Sequence, residues 1–186
     1  MDRLVKPALL TSLLLMGAIF GFFYAWMCST LWGLDLIDPR VAMESMQAMN
    51  AIVRNPVFFL IFFLPPLATG LSAIATWVMG ARTSTWLLVT ATALYLVACL
   101  ILTSTVNVPM NEALGATPVP ADESAARTIW QDYSTRWQLF NGIRTAAAGV
   151  CLALVGWAAL SLPRSADPTP TAAPGITNVR EVEHAV

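Results

Sequence analysis

Four apolar runs, at residues 7–32, 57–80, 86–108 and 139–162, decide what this chain can become. A helix needs about 20 apolar residues to cross a hydrocarbon core of about 30 Å. Backbone in lipid must satisfy its own hydrogen bonds, so these runs have to be helices or close into a barrel. Their length and continuity fit helices. Only 11% of the residues are charged, against about 25% in a soluble domain. The chain therefore reads as all-α, an integral membrane four-helix bundle. One membrane domain covers 1–163, and the Pro-, Ala- and Thr-rich stretch 164–186 is expected to be a disordered cytoplasmic tail. The first run exceeds the roughly 7–15 residues of a signal-peptide core, so it reads as a retained span.

Between the spans the sequence is punctuated. Asp38 can cap a helix with Pro39 at its first position. Residues 41–54 are amphipathic, with Met43, Met46, Gln47, Asn50 and Arg54 toward one side. That segment is too short and polar to span and predicts a helix lying across the bundle end. Pro65-Pro66 predicts a kink in the second span. Helical pairs of small residues, Gly17 with Gly21 and Thr145 with Gly149, predict close helix contacts. A fourth helix starting near residues 120–123 extends outside the membrane before its apolar part. Its pairs Glu123/Arg127 and Asp132/Arg136 stand in the favourable i,i+4 order.

The polar residues that do not belong in lipid mark the candidate site. Residues 103–111 read Thr-Ser-Thr-Val-Asn-Val-Pro-Met-Asn at the end of the third run. Each polar group costs free energy in hydrocarbon unless partnered. Pro109 disfavours helix at Val108, which predicts unwound backbone lining a pocket, followed by a loop over 112–119. Thr92, Tyr95, Cys99, Thr103 and Asn107 fall on one helical face, as do Trp130, Tyr133, Trp137, Asn141 and Arg144. Arg144 sits inside the fourth apolar run, where a charge marks a functional site by default. It also reads as a structural ion pair or carbonyl clamp. The tryptophans also read as interfacial anchors, and the asparagines as hydrogen bonds joining helices.

Other classes are excluded or weakened by composition. The net charge of −1 offers no basic patch for nucleic acid. Cys28, Cys99 and Cys151 have no metal-ligand spacing, and the single histidine is His184, two residues before the last. No metal or other cofactor is therefore expected. Met43, Met46 and Met49 read as packing. With a cytoplasmic N-terminus, Lys and Arg divide five and five between the two sides, while seven of the eleven acids fall outside. Both termini are placed in the cytoplasm, in an inner (plasma) membrane crossed several times.

A resemblance adds to this. The stretch Gly21-Phe22-Phe23-Tyr24, then Met49-Asn50 and Asn55-Pro56, then Asn107-Val108-Pro109-Met110-Asn111, then Trp130, Tyr133, Trp137, Asn141 and Arg144, resembles the anthrone-oxygenase-like family. These are small four-span membrane proteins, mostly of undefined function. The resemblance spans about 17–156, and its matching positions are Asn50, Asn55, Asn107, Asn111, Trp137, Asn141 and Arg144. It implies the four-span fold, and some of its members are linked to oxidation of anthrones to anthraquinones.

The expected function is a membrane oxidoreductase acting on a hydrophobic anthrone-, phenol- or quinol-like molecule without a metal. Such a substrate, once deprotonated, can reduce O₂ itself. Asn107, Asn111, Asn141 and Arg144 are the expected catalytic donors to its oxyanion. Asn50, Arg54, Asn55, Thr103, Trp130, Tyr133, Trp137 and Tyr24 are expected to bind it. Glu112, Asp132 and Glu44 are candidate bases, useful only if burial raises their pKa. Two alternatives compete. One is a non-enzymatic module that binds a lipid or small molecule, or scaffolds a partner membrane protein. The other is a transporter, which four spans would require to dimerise. The expected partners are a hydrophobic small molecule, the lipid bilayer and a second copy of the chain.

Overall fold

A computed structural model describes residues 2–163; the tail at 164–186, with His184, lies outside them. The chain forms α1 (Asp2–Ala25), a π-helical turn π1 (Trp26–Thr30), α2 (Leu31–Asp35), α3 (Pro39–Ile52), α4 (Pro56–Val78), α5 (Arg82–Tyr95), π-turns π2 (Leu96–Ile101) and π3 (Thr103–Asn107), α6 (Val108–Ala116) and α7 (Glu123–Leu160). No strand occurs among the described residues. Four rods, Leu4–Asp35, Pro56–Val78, Arg82–Ala116 and Glu123–Leu160, are long and apolar enough to cross a membrane. Packing of α1 on α4, α4 on α5, α5 on α7 and α7 on α1 closes them into a ring.

The core has two storeys. The larger centres on Met16, Ile19, Phe23, Leu88, Tyr95, Cys99, Ala148, Cys151 and Val155. The smaller lies under α3 and joins Leu31, Met43, Met46, Leu114, Trp130, Tyr133 and Trp137. The helix α3 starts as its sequence dictates. Asp38 accepts from the Arg40 backbone N–H at 2.9 Å, and Pro39 takes the first turn. The hydrogen-bonded Arg40 guanidinium beside Asp38 holds its carboxyl down at about 2. Arg40 also donates to the Ala121 carbonyl at 3.1 Å, tying this corner to the approach of α7.

Several local expectations are corrected. The close approach is not at Gly17 and Gly21, where an added Cβ meets nothing within 4 Å. The other expected pair supplies it, at Gly149, where a Cβ would lie 3.1 Å from the Phe20 ring. Residues 112–119 are not a loop throughout, since α6 runs to Ala116. Nor does the chain unwind at Val108-Pro109. The Val108 N–H reaches back five residues to the Thr103 carbonyl, a π-turn bond. Pro109 then falls in the first turn of α6, where the wider π-turn before it leaves room for a residue without an N–H. Ser104 and Thr105, exposed on the outside of the bundle, bond their hydroxyls back to Leu100 and Ile101 carbonyls at 2.9 and 2.8 Å.

Helix α4 runs without interruption through Pro65 and Pro66. Proline at 66 cannot donate to the carbonyl four residues back, that of Phe62. The buried Tyr95 hydroxyl donates to that carbonyl at 2.8 Å. Tyr95→Phe should therefore leave a buried acceptor unpaired and cost about 1–3 kcal/mol in reversible unfolding measurements. An unchanged unfolding midpoint would show that the freed carbonyl finds another donor.

Candidate functional site

The polar residues of the third and fourth rods converge beneath α3 and α6. Arg144 is 5% exposed and has no carboxylate within 4 Å among the described residues. One terminal nitrogen donates to Thr103 Oγ1 at 3.0 Å and the other to Asn141 Oδ1 at 2.9 Å. Its guanidinium carbon lies 4.7 Å from the Phe23 ring centre and 5.4 Å from that of Trp137. Two aromatic faces thus take the place of a counter-ion. Asn141 is fixed in turn by donating to the Phe23 carbonyl at 3.0 Å.

A second network closes the site toward the bundle end. Asn111 Oδ1 accepts from the Tyr133 hydroxyl at 2.8 Å and from Trp137 Nε1 at 3.0 Å. Asn50 donates to the Tyr133 oxygen at 3.3 Å. Three elements, α3, α6 and α7, are joined by this chain of amides and a phenol. Trp26 covers Trp137, with ring centres 5.3 Å apart.

Asn107 lies between the two networks. Thr103 meets Arg144 and Asn111 meets Trp137. By register Asn107, between them on the same rod, faces the part of α7 from Trp137 to Arg144. It is 1% exposed, and neither its Nδ2 nor its Oδ1 has a hydrogen-bond partner. Arg144 Nε is likewise buried without a partner. Buried polar atoms are nearly always paired. Donors left unspent beside a buried cation are what a site for a negatively charged oxygen requires.

The remaining expected residues divide clearly. Arg54 pairs with Glu112 at 3.0 Å on the surface. With Asn50 and Asn111 it lines a cleft of about 230 Å³ on one side of α6. On the other side Tyr133 walls a groove of about 370 Å³ with Met110, Leu114, Ile129 and Arg136. Trp130 turns away to donate to Asp35 at 2.9 Å. Tyr24 is 47% exposed and leans on Phe20, outside the cluster. Asn55 is a helix cap, accepting from the Phe58 N–H at 3.0 Å. The candidate bases Glu112, Asp132 and Glu44 are all exposed at the surface.

Two participants escaped the sequence reading. Asp35 accepts from Trp130, Ser134 and Gln138, latching the end of α2 onto α7. Phe23 supplies both a ring under Arg144 and a carbonyl for Asn141. An acid just past an apolar run is the one signal for Asp35; nothing local distinguishes Phe23 from Phe22.

Residues 58–166, more than half of the chain, match the model of the anthrone oxygenase family. The chain belongs to that family. No curated protein and no solved structure matches it. The part matching the anthrone oxygenase family contains Thr103, Asn107, Asn111, Trp130, Tyr133, Trp137, Asn141 and Arg144. Tyr24, Asn50, Arg54 and Asn55 precede it.

Proposed function

We propose that this protein is a membrane-embedded oxygenase-type oxidoreductase for a hydrophobic anthrone-, phenol- or quinol-like molecule. The observations that carry the reading are the buried Arg144, without a carboxylate within 4 Å among the described residues, and the buried, unpartnered amide of Asn107, which register turns toward the same stretch of α7. A buried cation favours whichever ligand state carries a negative charge, and so favours ionisation of a weakly acidic anthrone or phenol. Phe23, Trp137 and Trp26 offer ring surfaces for an aromatic substrate beside that charge.

For an anthrone the chemistry is balanced. Loss of the ring C–H proton gives an enolate held by Arg144 and Asn107. The enolate gives one electron to O₂, and the two radicals join in a new C–O bond. The resulting hydroperoxide loses water as its O–O bond breaks and the remaining C–H proton leaves. Anthrone plus O₂ thus becomes anthraquinone plus water. The electrons come from the substrate, so the reading asks for no metal. No carboxylate lies within 4 Å of Arg144 among the described residues, and in this reading the proton passes to water in the clefts beside Tyr133 and Asn50. In the proposed orientation, with both termini cytoplasmic in a plasma membrane, the cluster lies toward the outer leaflet.

One observation favours a second reading, a non-enzymatic module for a lipid or small molecule or a scaffold for a partner. Every candidate base lies at the surface. The two readings separate in one experiment. Purified protein with anthrones, phenols and quinols should consume O₂ and form the corresponding quinone in equal amounts. Saturable ligand binding with O₂ uptake no faster than buffer would establish the binding module instead.

A further inference from the structure

A groove on the described surface does not include Arg144 in its lining. It lies between α4 and α5, holds about 490 Å³, and is lined by Gly70, Ala73, Trp77, Thr85, Thr92 and Leu96 among others. The hydroxyls in it are spent internally: Thr92 donates to the Leu88 carbonyl at 2.9 Å, and Thr85 to the Ala81 carbonyl at 3.0 Å. Nothing in the groove asks for a hydrogen bond, so its contents are hydrocarbon. Gly70 leaves its floor open, so a larger side chain there would fill the groove. A Cβ there would already lie 3.9 Å from Thr92 Cγ2.

Its length and its mouth narrow the occupant further. From Thr85 to Leu96 a helix rises roughly 16 Å, about half of the ~30 Å hydrocarbon thickness. That is the depth of one leaflet and of one acyl chain. At the mouth, Arg82 stacks on Trp77 with its guanidinium carbon 3.6 Å from the ring centre. Stacking fixes the guanidinium face and leaves its N–H edge for other partners. No carboxylate lies within 4 Å of Arg82 among the described residues. Exposed Trp77 and Trp86, 50% and 60% accessible, set this level as a headgroup boundary.

We propose that the α4–α5 groove is a binding site for an anionic phospholipid. One acyl chain lies along Gly70 and Ala73, and the phosphate sits on the Arg82 edge. The inference is independent of the oxygenase reading. It is tested by titrating the detergent-solubilised full chain with phosphatidylglycerol or phosphatidylcholine carrying brominated acyl chains. Tryptophan quenching reports occupancy, with Trp77→Phe as the reference for the local signal. Phosphatidylglycerol should bind about fivefold tighter, the effect of one cation near a lipid phosphate. Arg82→Gln should equalise the two lipids. Gly70→Leu should weaken both by a similar factor. Equal binding of the two lipids by the unsubstituted chain, or a preference surviving Arg82→Gln, would overturn the site. So would a dimer that excludes lipid and dissociates in Gly70→Leu, since a second copy would then be the occupant.

Discussion

Arg144→Met should reduce O₂-coupled turnover by at least about 10²–10³-fold, the usual effect of losing one oriented donor in a dry site, while changing stability little. The energetic argument is a near-balance. Burying a cation without a counter-ion costs several kcal/mol. Two hydrogen bonds from a charged donor return about 1.5–3 kcal/mol each, and the Phe23 and Trp137 faces add up to about 2 kcal/mol each. Methionine removes the cost and the gains together, so the net change should stay within about 2 kcal/mol. A structural arginine behaves differently: its loss would loosen α7 from the third rod at Thr103 and from α1 through Asn141. Arg144→Lys separates charge from shape. It keeps the cation but not the planar fork that reaches both partners, and should retain a fraction of the activity. Thermal unfolding and O₂ uptake on the same preparations decide the matter. Turnover intact in Arg144→Met would remove the oxyanion role; collapse of the fold with no residual binding would make the residue structural.

Asn107→Leu should do two opposite things. Leucine has the same branching as asparagine and suits a buried, apolar position. It removes two unpartnered buried atoms, each of which costs about 1–3 kcal/mol to leave unpaired. Stability should rise by at least about 1 kcal/mol, read as a higher midpoint in detergent. Activity should fall about 10²-fold or more if the amide meets the substrate oxygen. Gain of stability with loss of function is the mark of a site that holds strain for chemistry. Asn107→Ala should also lose activity, without the packing that leucine restores. A destabilised Asn107→Leu would mean the amide is satisfied in the folded protein, and the proposed oxyanion donor would have to be another group.

Because Asn111 binds both Tyr133 and Trp137 through one oxygen, the networks are coupled through α7. Effects at Asn107 and Arg144 are therefore not expected to add.

Much of the architecture was legible because it depends on sums along the chain. Each residue's hydropathy contributes wherever its neighbours are, so the four rods could be read without coordinates. The same holds for local bonds: Asp38 caps α3 and Pro39 opens it. The common face of Trp137, Asn141 and Arg144 follows from helical periodicity alone. Tertiary structure decided what those groups touch. Asn111 as shared acceptor, Phe23 beneath Arg144, Asp35 as latch and Tyr95 on the Phe62 carbonyl join residues 22 to 121 positions apart. Such pairings depend on how helices rotate and slide against one another, and no local sum encodes that. The π-turns that keep residues 103–111 helical were hidden for the same reason: an i−5 bond wins over unwinding only when the surrounding packing makes the wider turn fit.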